Sequence, residues 1–174
     1  MPEQADFNAI VDRFAHRVYN HAFRMLNNRE DAEEAMQDVF LRVHRSLGTF
    51  RGDAELSTWL WRITVNVCLS RRGSRWRKRE QIRMENVADA IADDAPGPDE
   101  LITILEDRER IARMIARLPD REAASLTLYY IEGFDYAAIG RILNIPPGSV
   151  ATALHRGRMR LGKMLRPERK RGKP

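Results

Sequence analysis

The chain has 174 residues, enough for one domain or two small ones, each with a modest hydrophobic core. Hydrophobic residues make up 43% of the sequence and charged residues 32%, which is typical of a soluble globular protein. No apolar run approaches the length of a membrane-spanning helix, and the N-terminus lacks a secretion-signal pattern. We therefore expect a cytoplasmic protein without membrane insertion.

The metal-binding and redox side chains are few. Because Cys68 is the only cysteine, the chain contains neither a disulfide nor a thiolate zinc site of its own. The four histidines have no metal-ligand spacing with carboxylates. The sequence therefore predicts no metal, no cofactor and no catalytic residues.

The net charge of +5 is unevenly distributed. Residues 70–83 contain seven Arg or Lys and one Glu, and residues 156–173 contain nine and one. Residues 84–100 contain six acidic residues and no basic one. Two basic segments on either side of an acidic one are typical of polyanion binding, although solvated helix faces would give a similar pattern.

Apolar residues in the first part of the chain recur at helical spacing. A first helix runs from Phe7 to Met25 and ends at Asn27. A second begins near Asp31, which we expect to be its N-cap. A third starts after a glycine-bracketed loop, GTFRGDAEL, and we expect Ser57 or Thr58 to cap it and Gly73 to interrupt it. Two tryptophans in it, Trp59 and Trp61, are two positions apart, so one should lie in the core.

The sequence Pro96-Gly97-Pro98 marks a linker, because neither proline fits inside a helix. Beyond it, Pro119-Asp120 opens a helix that ends before Gly133, Asp135 caps the next, and Ser149 begins the last. No stretch alternates long enough to form a strand. We predict an all-α chain of two small helical domains joined by a flexible acidic linker, with domain bounds 1–84, 85–100 and 101–174.

Residues 135–162 have the pattern of a DNA-binding helix-turn-helix: DYAAIGRILNIPPGSVATALHRGRMRLG. The final helix has one apolar face and one free face, as docking in the major groove requires. On the free face, Arg156, Arg158 and Arg160 can contact phosphates, whereas Thr152 and His155 can reach base edges. An ordinary helical hairpin is the alternative interpretation.

The central segment interleaves Trp59, Trp61 and Trp76 with arginines. Proteins that bind single strands use aromatic faces to stack on bases, at roughly 1–3 kcal/mol per base. Simple packing of the tryptophans beneath a solvated arginine face is the alternative. The two motifs together predict one domain for unstacked bases and one for duplex DNA.

At this point two long segments resemble the extracytoplasmic-function (ECF) group of bacterial RNA polymerase sigma factors. The first is DAEEAMQDVFLRVHRSLGTFRG followed by STWLWRITVNVCLSRR, which is similar to the second conserved region of the family. The second segment is LPDREAASLTLYYIEGFDYAAIGRILNIPPGSVATALHRGRMRL, which is similar to the fourth conserved region of the family. The resemblance covers about residues 7–165 and implies a promoter-recognising initiation subunit that recruits core polymerase and promotes strand opening.

The resemblance also implies roles for individual residues. Docking on the clamp helices of the largest polymerase subunit is expected of Gln37, Asp38, Leu41, Arg42 and Arg45. Binding and melting of the −10 element is expected of Phe50, Arg51, Asp53, Trp59, Arg62, Asn66, Arg71, Arg72 and Arg75. Binding of the −35 element is expected of Ser149, Ala151, Thr152, His155, Arg156 and Arg158.

This sequence departs from the family pattern in the last helix. Ala151 and Ala153 stand where members carry basic residues, and Gly157 stands where Ala is usual. Readout of the −35 element is therefore expected to be weak, differently specified, or carried by Thr152, His155 and Arg156. The resemblance further implies an anti-sigma factor as a partner.

Two other functions remain open from the residues alone. A stand-alone helix-turn-helix regulator of duplex operators would explain residues 100–174 but not the Trp/Arg segment. A nuclease using Asp31, Glu33, Glu34 and Asp38 as metal ligands would lack a histidine or a second acidic cluster to complete its site.

Overall fold

The computed structural model describes the backbone of residues 2–50, 55–85 and 100–165, and the side chains of residues 7–50, 55–74 and 108–165. All regular structure in these ranges is helical, which confirms the predicted all-α class. The α-helices are α1 (Pro2–Leu26), α2 (Arg29–Ser46), α3 (Leu56–Glu85), α4 (Glu100–Ala116), α5 (Asp120–Tyr130), α6 (Tyr136–Leu143) and α7 (Pro147–Leu165). A short 3-10 turn, Leu47–Thr49, follows α2.

Helices α1, α2 and α3 pack together as the N-terminal half of the molecule. Their apolar residues, three or four positions apart, form one buried face on each helix. The centre of this half contains Phe14, Val18, Val39, Leu60 and Trp61, all nearly inaccessible to solvent. Cys68 is also buried there as a core residue, and burial raises the pKa of its thiol to about 12.

Three helix starts differ from the sequence prediction. The N-cap of α2 is Asn28 instead of Asp31, and its side-chain oxygen accepts a hydrogen bond from the Asp31 amide at 2.9 Å. Helix α3 begins at Leu56, which leaves Ser57 and Thr58 inside its first turn. Helix α7 begins at Pro147, two residues before Ser149, because proline suits the first helical position, where no amide hydrogen is needed.

The predicted interruption at Gly73 was wrong, since α3 continues through it to Glu85. Glycine costs a helix only about 1 kcal/mol relative to alanine. The two preceding residues, Arg71 and Arg72, are held by partners on other helices. We attribute the continuity of α3 to these tertiary contacts, which outweigh the local preference.

Helices α5, α6 and α7 pack together in the C-terminal half. Asp135 caps α6 as predicted, accepting a hydrogen bond from the Ala138 amide at 2.7 Å. The turn to α7 contains Asn144 in the left-handed region (φ 54°), a conformation that asparagine tolerates. This half has the short helix, tight turn and longer helix that the sequence predicted.

The two halves pack directly on one another. Helix α3 contacts α6, and α1 contacts both α4 and α5, so that one buried cluster continues through both halves. Residues 86–99 of the predicted linker lie outside the described residues. Among the helices that the structure does describe, none is sufficiently long and apolar to span a membrane.

Candidate nucleic-acid interface

The aromatic residues predicted to bind and melt the −10 element lie in contact beside the start of α3. The rings of Phe50 and Trp59 are tilted by 39° with centroids 4.9 Å apart, and both residues are partly accessible. Arg62 and Asn66 are exposed three and seven positions further along α3. Because these spacings place all three α3 residues on one side of the helix, aromatic, cationic and amide groups share one face. Arg51 and Asp53 lie outside the described residues.

The second tryptophan of this segment belongs to the core. Trp61 is fully buried, with its ring centroid 4.9 Å from that of His21 and 6.4 Å from that of Phe134. This confirms that Trp59 and Trp61 point to different environments.

Arg62 is engaged by the opposite half of the molecule. Its Nη2 atom donates a hydrogen bond to the backbone carbonyl oxygen of Arg141 in α6, at 2.7 Å. The side chain predicted to line the melting site therefore contacts the first helix of the helix-turn-helix.

Arg71 is paired with acidic residues of α2. Its guanidinium lies 2.8 Å from Glu34 Oε2 and 2.5 Å from Asp38 Oδ2, and the arginine side chain is only 24% exposed. A predicted phosphate ligand thus forms an ion pair with a predicted polymerase ligand, Asp38. In this structure the pair joins α3 to α2.

Arg72 joins the two halves. Its guanidinium donates to the carbonyl oxygens of Met25 at 3.0 Å and Leu118 at 2.6 Å, and pairs with Asp120 at 2.7 Å. Met25 lies in the last turn of α1 and Leu118 just beyond α4, where carbonyl groups lack helical partners. The DNA-binding roles expected of Arg71 and Arg72 stay predictions. The side chain of Arg75 is outside the described residues.

The predicted polymerase-docking face of α2 is largely open to solvent. Leu41 is 55% exposed, and Gln37, Arg42 and Arg45 are exposed around it. A single exposed leucine is common on protein surfaces, so the polymerase-docking role of this face stays a prediction.

The predicted DNA face of α7 is also accessible. Ser149, Thr152, His155, Arg156 and Arg158 are exposed, whereas Ala151 is partly buried and Ala153 is buried. Thr152 Oγ1 donates to the Gly148 carbonyl at 3.0 Å, and Arg158 donates to the Tyr130 hydroxyl at 3.2 Å.

A cleft opens between the N-terminal ends of α5 and α7. It is lined among others by Asp120, Arg121, Ser149, Thr152 and Arg156. The cleft combines two helix N-termini and two arginines, which favour an anion, with the carboxylates of Asp120 and Glu122, which oppose one. Its DNA-backbone role stays a prediction.

Comparison with known proteins extends over both halves. The family model described as Sigma-70 region 2 matches residues 10–78, and that described as Sigma-70, region 4 matches residues 108–161. The ECF RNA polymerase sigma factor SigW of Bacillus subtilis is 34% identical over 172 residues, covering 94% of this chain and 91% of that protein. The ECF RNA polymerase sigma-E factor of Escherichia coli is 29% identical, covering 95% and 89%.

This chain belongs to the ECF RNA polymerase sigma factors. As a sigma factor it binds core RNA polymerase and directs initiation at promoter DNA, within a family of non-catalytic initiation factors. The stand-alone regulator is not favoured, because the relatives match the N-terminal half as well as the helix-turn-helix.

Solved structures show the same fold. The sigma factor RpoE of Bartonella quintana, crystallised with the anti-sigma factor NepR, has a TM-score of 0.71 and 21% identity, covering 94% of this chain and 99% of that one. CnrH, in complex with the cytosolic domain of CnrY, has a TM-score of 0.67 and 19% identity, covering 93% and 88%.

The acidic residues considered above as metal ligands of a nuclease do not form a metal site in this sigma factor. Glu34 and Asp38 bind Arg71, and Asp31 lies in the first turn of α2. In the described part of the chain, no group of three or more His, Cys, Asp or Glu is placed to hold a metal ion.

The sequence analysis missed three polar residues where the two halves of this sigma factor meet. Arg17 pairs with Glu132 at 2.8 Å, and His21 Nδ1 lies 4.0 Å from the other oxygen of that carboxylate. The position of His21 could have indicated its burial, because it lies three residues after Val18 on the apolar face of α1.

The environment of these residues changes their ionisation. Complete burial, with a smaller contribution from the charge of Arg24, lowers the pKa of His21 to about 3. Burial raises the pKa of Glu132, although Arg17 acts in the opposite direction. His21 is thus a neutral ring packed on Trp61.

Proposed function

We propose that this sigma factor divides promoter recognition between its two halves. Residues 1–84 would bind core polymerase and the −10 element, residues 101–174 would bind the −35 element, and residues 85–100 would connect them. The two family matches, which lie on either side of the acidic segment, support this division.

One observation supports the −10 function. The aromatic pair of Phe50 and Trp59 lies on the same side of α3 as exposed Arg62 and Asn66. Opening a duplex costs about 1.4 kcal/mol of stacking per base-pair step. An aromatic pair can accept an unstacked base, an amide can hydrogen-bond its edge, and a guanidinium can bind its phosphate. Together these contacts offset the cost of strand opening.

The −35 function belongs to the exposed face of α7. Arg156 and the cleft between α5 and α7 would hold the DNA backbone, while Thr152 and His155 reach base edges. Ala151 offers no hydrogen-bonding side chain at the start of this helix, and Ala153 is buried instead of facing DNA, so few side chains are left for base-specific contacts. We therefore expect a less strict requirement at −35 than at −10.

Regulation by an anti-sigma factor completes the proposal. Two structures of the same fold were solved with anti-sigma or cytosolic partner domains. The proposed site of action is the cytoplasm, where core polymerase acts, and the protein itself performs no chemistry.

The substitution Asn66→Ala tests the −10 assignment. Transcription with core polymerase on a randomised promoter library should show altered −10 preference and roughly tenfold less open complex, equivalent to about 1.4 kcal/mol. Co-elution with core polymerase should be unchanged. The matched control is Asn8→Ala on the exposed face of α1, which should behave as wild type. Loss of polymerase binding by Asn66→Ala would contradict the division of functions.

A further inference from the structure

We propose that Arg71 is a positioning residue for polymerase docking and not a ligand of promoter DNA. Its two ion pairs hold the acidic part of the docking face of α2, which contains Asp38, against α3. This inference rests on the function proposed above, in which the N-terminal half binds core polymerase. It goes further by moving one arginine from the DNA-binding set to the polymerase-binding machinery.

The first argument is the side of α3 on which Arg71 lies. Helix α3 is continuous from Leu56 to Glu85, so successive residues are about 100° apart around its axis. On this spacing Arg71 lies about 180° from Arg62 and about 140° from Asn66, the exposed polar residues of the proposed −10 face. Arg71 is therefore on the opposite side of the helix from the surface that would receive the unstacked bases.

The second argument is how the guanidinium of Arg71 is used. Its Nη1 atom lies 2.8 Å from Glu34 Oε2, and its Nη2 atom lies 2.5 Å from Asp38 Oδ2. Its Nε atom is buried and has no hydrogen-bond partner among the described residues, and the side chain is only 24% exposed. Both terminal nitrogens thus bind carboxylates of the same half, which leaves little of the group for a phosphate.

The third argument is the effect of these pairs on α2. Glu34 and Asp38 are four residues apart, so their side chains share one face of the helix and repel each other. One arginine that binds both carboxylates removes this repulsion and fixes the direction of each. The carboxylates remain accessible to a partner, with side-chain exposures of 64% and 42%. Arg71 therefore determines where the docking face presents its negative charge.

A lysine at this position distinguishes the two roles. The planar guanidinium offers one nitrogen to each carboxylate, whereas the ammonium group of lysine is a single compact charge without this forked geometry. Lysine does bind phosphate well as a point charge. The substitution Arg71→Lys therefore retains what a DNA ligand needs and removes the bridge between Glu34 and Asp38.

The first measurement is the affinity of the full chain for core polymerase. We expect Arg71→Lys to raise the dissociation constant about three- to fivefold, the range that corresponds to loss of a partly exposed ion pair. Glu34→Ala breaks the same bridge from the exposed side of α2 and should have a similar effect, so the test does not depend on the folding of the Arg71 variant. The matched control is Glu33→Ala, which removes a neighbouring exposed carboxylate and should behave as wild type.

The second measurement is the salt dependence of open-complex formation on a linear promoter fragment, at saturating polymerase. Loss of a phosphate contact reduces the slope of log K against log salt concentration by about 0.7 to 0.9. We expect Arg71→Ala to keep the wild-type slope and the wild-type maximum of open complex, because the residue acts only on docking. Arg62→Ala, on the proposed −10 face, should reduce the slope.

Wild-type affinity of Arg71→Lys for core polymerase would overturn the positioning role, as would a reduced salt slope of Arg71→Ala. Failure of the proposed docking face has a different result, which Leu41→Ala reports. Leu41 is 55% exposed on α2 and forms no part of the ion pairs. If the docking face is wrong, Leu41→Ala will bind core polymerase as tightly as wild type. If only the positioning role is wrong, Leu41→Ala will bind more weakly while Arg71→Lys will not.

Discussion

Gly157 shows how a single residue can disagree with local preference for a structural reason. It lies on α7 where that helix crosses α5, and a Cβ atom there would be 2.6 Å from Leu126 Cδ1 and 3.4 Å from Glu122 Cβ. Helix propensity alone makes glycine unfavourable at this position by about 1 kcal/mol. The close approach of α5 leaves little room for a Cβ at this position unless the end of the Leu126 side chain moves.

The same reasoning predicts opposite effects of alanine at two helical glycines. At Gly140 a Cβ would lie 2.8 Å from the backbone carbonyl oxygen of Ile145, which cannot rotate away as a side chain can. We expect Gly140→Ala to lower the free energy of unfolding by about 1–3 kcal/mol. At Gly162 nothing lies within 4 Å, so Gly162→Ala should raise it by up to about 1 kcal/mol. Urea denaturation measures both, and a stabilising Gly140→Ala would contradict the packing of this turn.

Among the elements, the short helix α6 depends most on its cap. It has eight residues, and the Asp135 carboxylate satisfies the Ala138 amide at 2.7 Å. The pattern of Asp135 before an apolar stretch was enough to predict this cap. The start of α2 was less predictable, because Asn28 and Asp31 are both good capping residues and only the chain path chooses between them.

Removing the cap of α6 should destabilise the protein by a measurable amount. We expect Asp135→Ala to cost about 1 kcal/mol, since the Ala138 amide loses its partner. Asp135→Asn retains a side-chain oxygen acceptor and should remain within a few tenths of a kcal/mol of wild type. Thermal denaturation followed by circular dichroism distinguishes them. Equal losses in the two variants would indicate that charge, and not the capping hydrogen bond, is responsible.

At the scale of the whole molecule, the buried polar contact between the halves should make stability depend on pH. Unfolded His21 takes up a proton below pH 6.5, whereas in the folded protein its pKa is about 3. The unfolded state therefore binds more protons in this window, and stability falls as the pH falls from 6.5 toward 3. Glu132 has the opposite effect on stability. Because its pKa is raised in the folded protein, the folded state takes up this proton at a higher pH than the unfolded state, and protonation of Glu132 then favours folding as the pH falls.

The variant His21→Phe isolates the histidine contribution. Phenylalanine preserves the ring packed on Trp61 but cannot be protonated. Between pH 7.5 and 5.5 we expect wild type to lose about 1 kcal/mol more of its unfolding free energy than the variant, since each pH unit corresponds to at most about 1.4 kcal/mol per proton. Chemical denaturation at several pH values provides the measurement. Parallel pH profiles would show that His21 is accessible to protons in the folded state.

Much of this architecture was predictable from the sequence, because it depends on local periodicity. Buried stripes at three- and four-residue spacing, the break at Asn27 and the cap at Asp135 are short-range effects that neighbouring residues determine. The resemblance assigned Phe50 and Trp59 to one DNA site, but the contact between their rings is a finding of the structure. The exposed stripe around Leu41 follows from helical geometry alone.

The partners of the arginines were not predictable in this way. In sequence, Arg62, Arg71 and Arg72 are all candidate DNA ligands of the same segment, and their charge does not indicate which groups neutralise them. The structure gives them a carbonyl in α6, two carboxylates in α2, and the carbonyls beside α4. These contacts join residues about 30 to 80 positions apart, so only the packing of helices selects them.

The sequence by itself determined the helices and the family, because both follow from residue type and spacing along continuous stretches of the chain. Only the tertiary structure decided that the halves meet, that Arg17 and His21 face Glu132, and that the proposed −10 face is partly covered. The physical reason is that burial and ion pairing depend on which surfaces come together in space. Residue type and spacing leave that choice open.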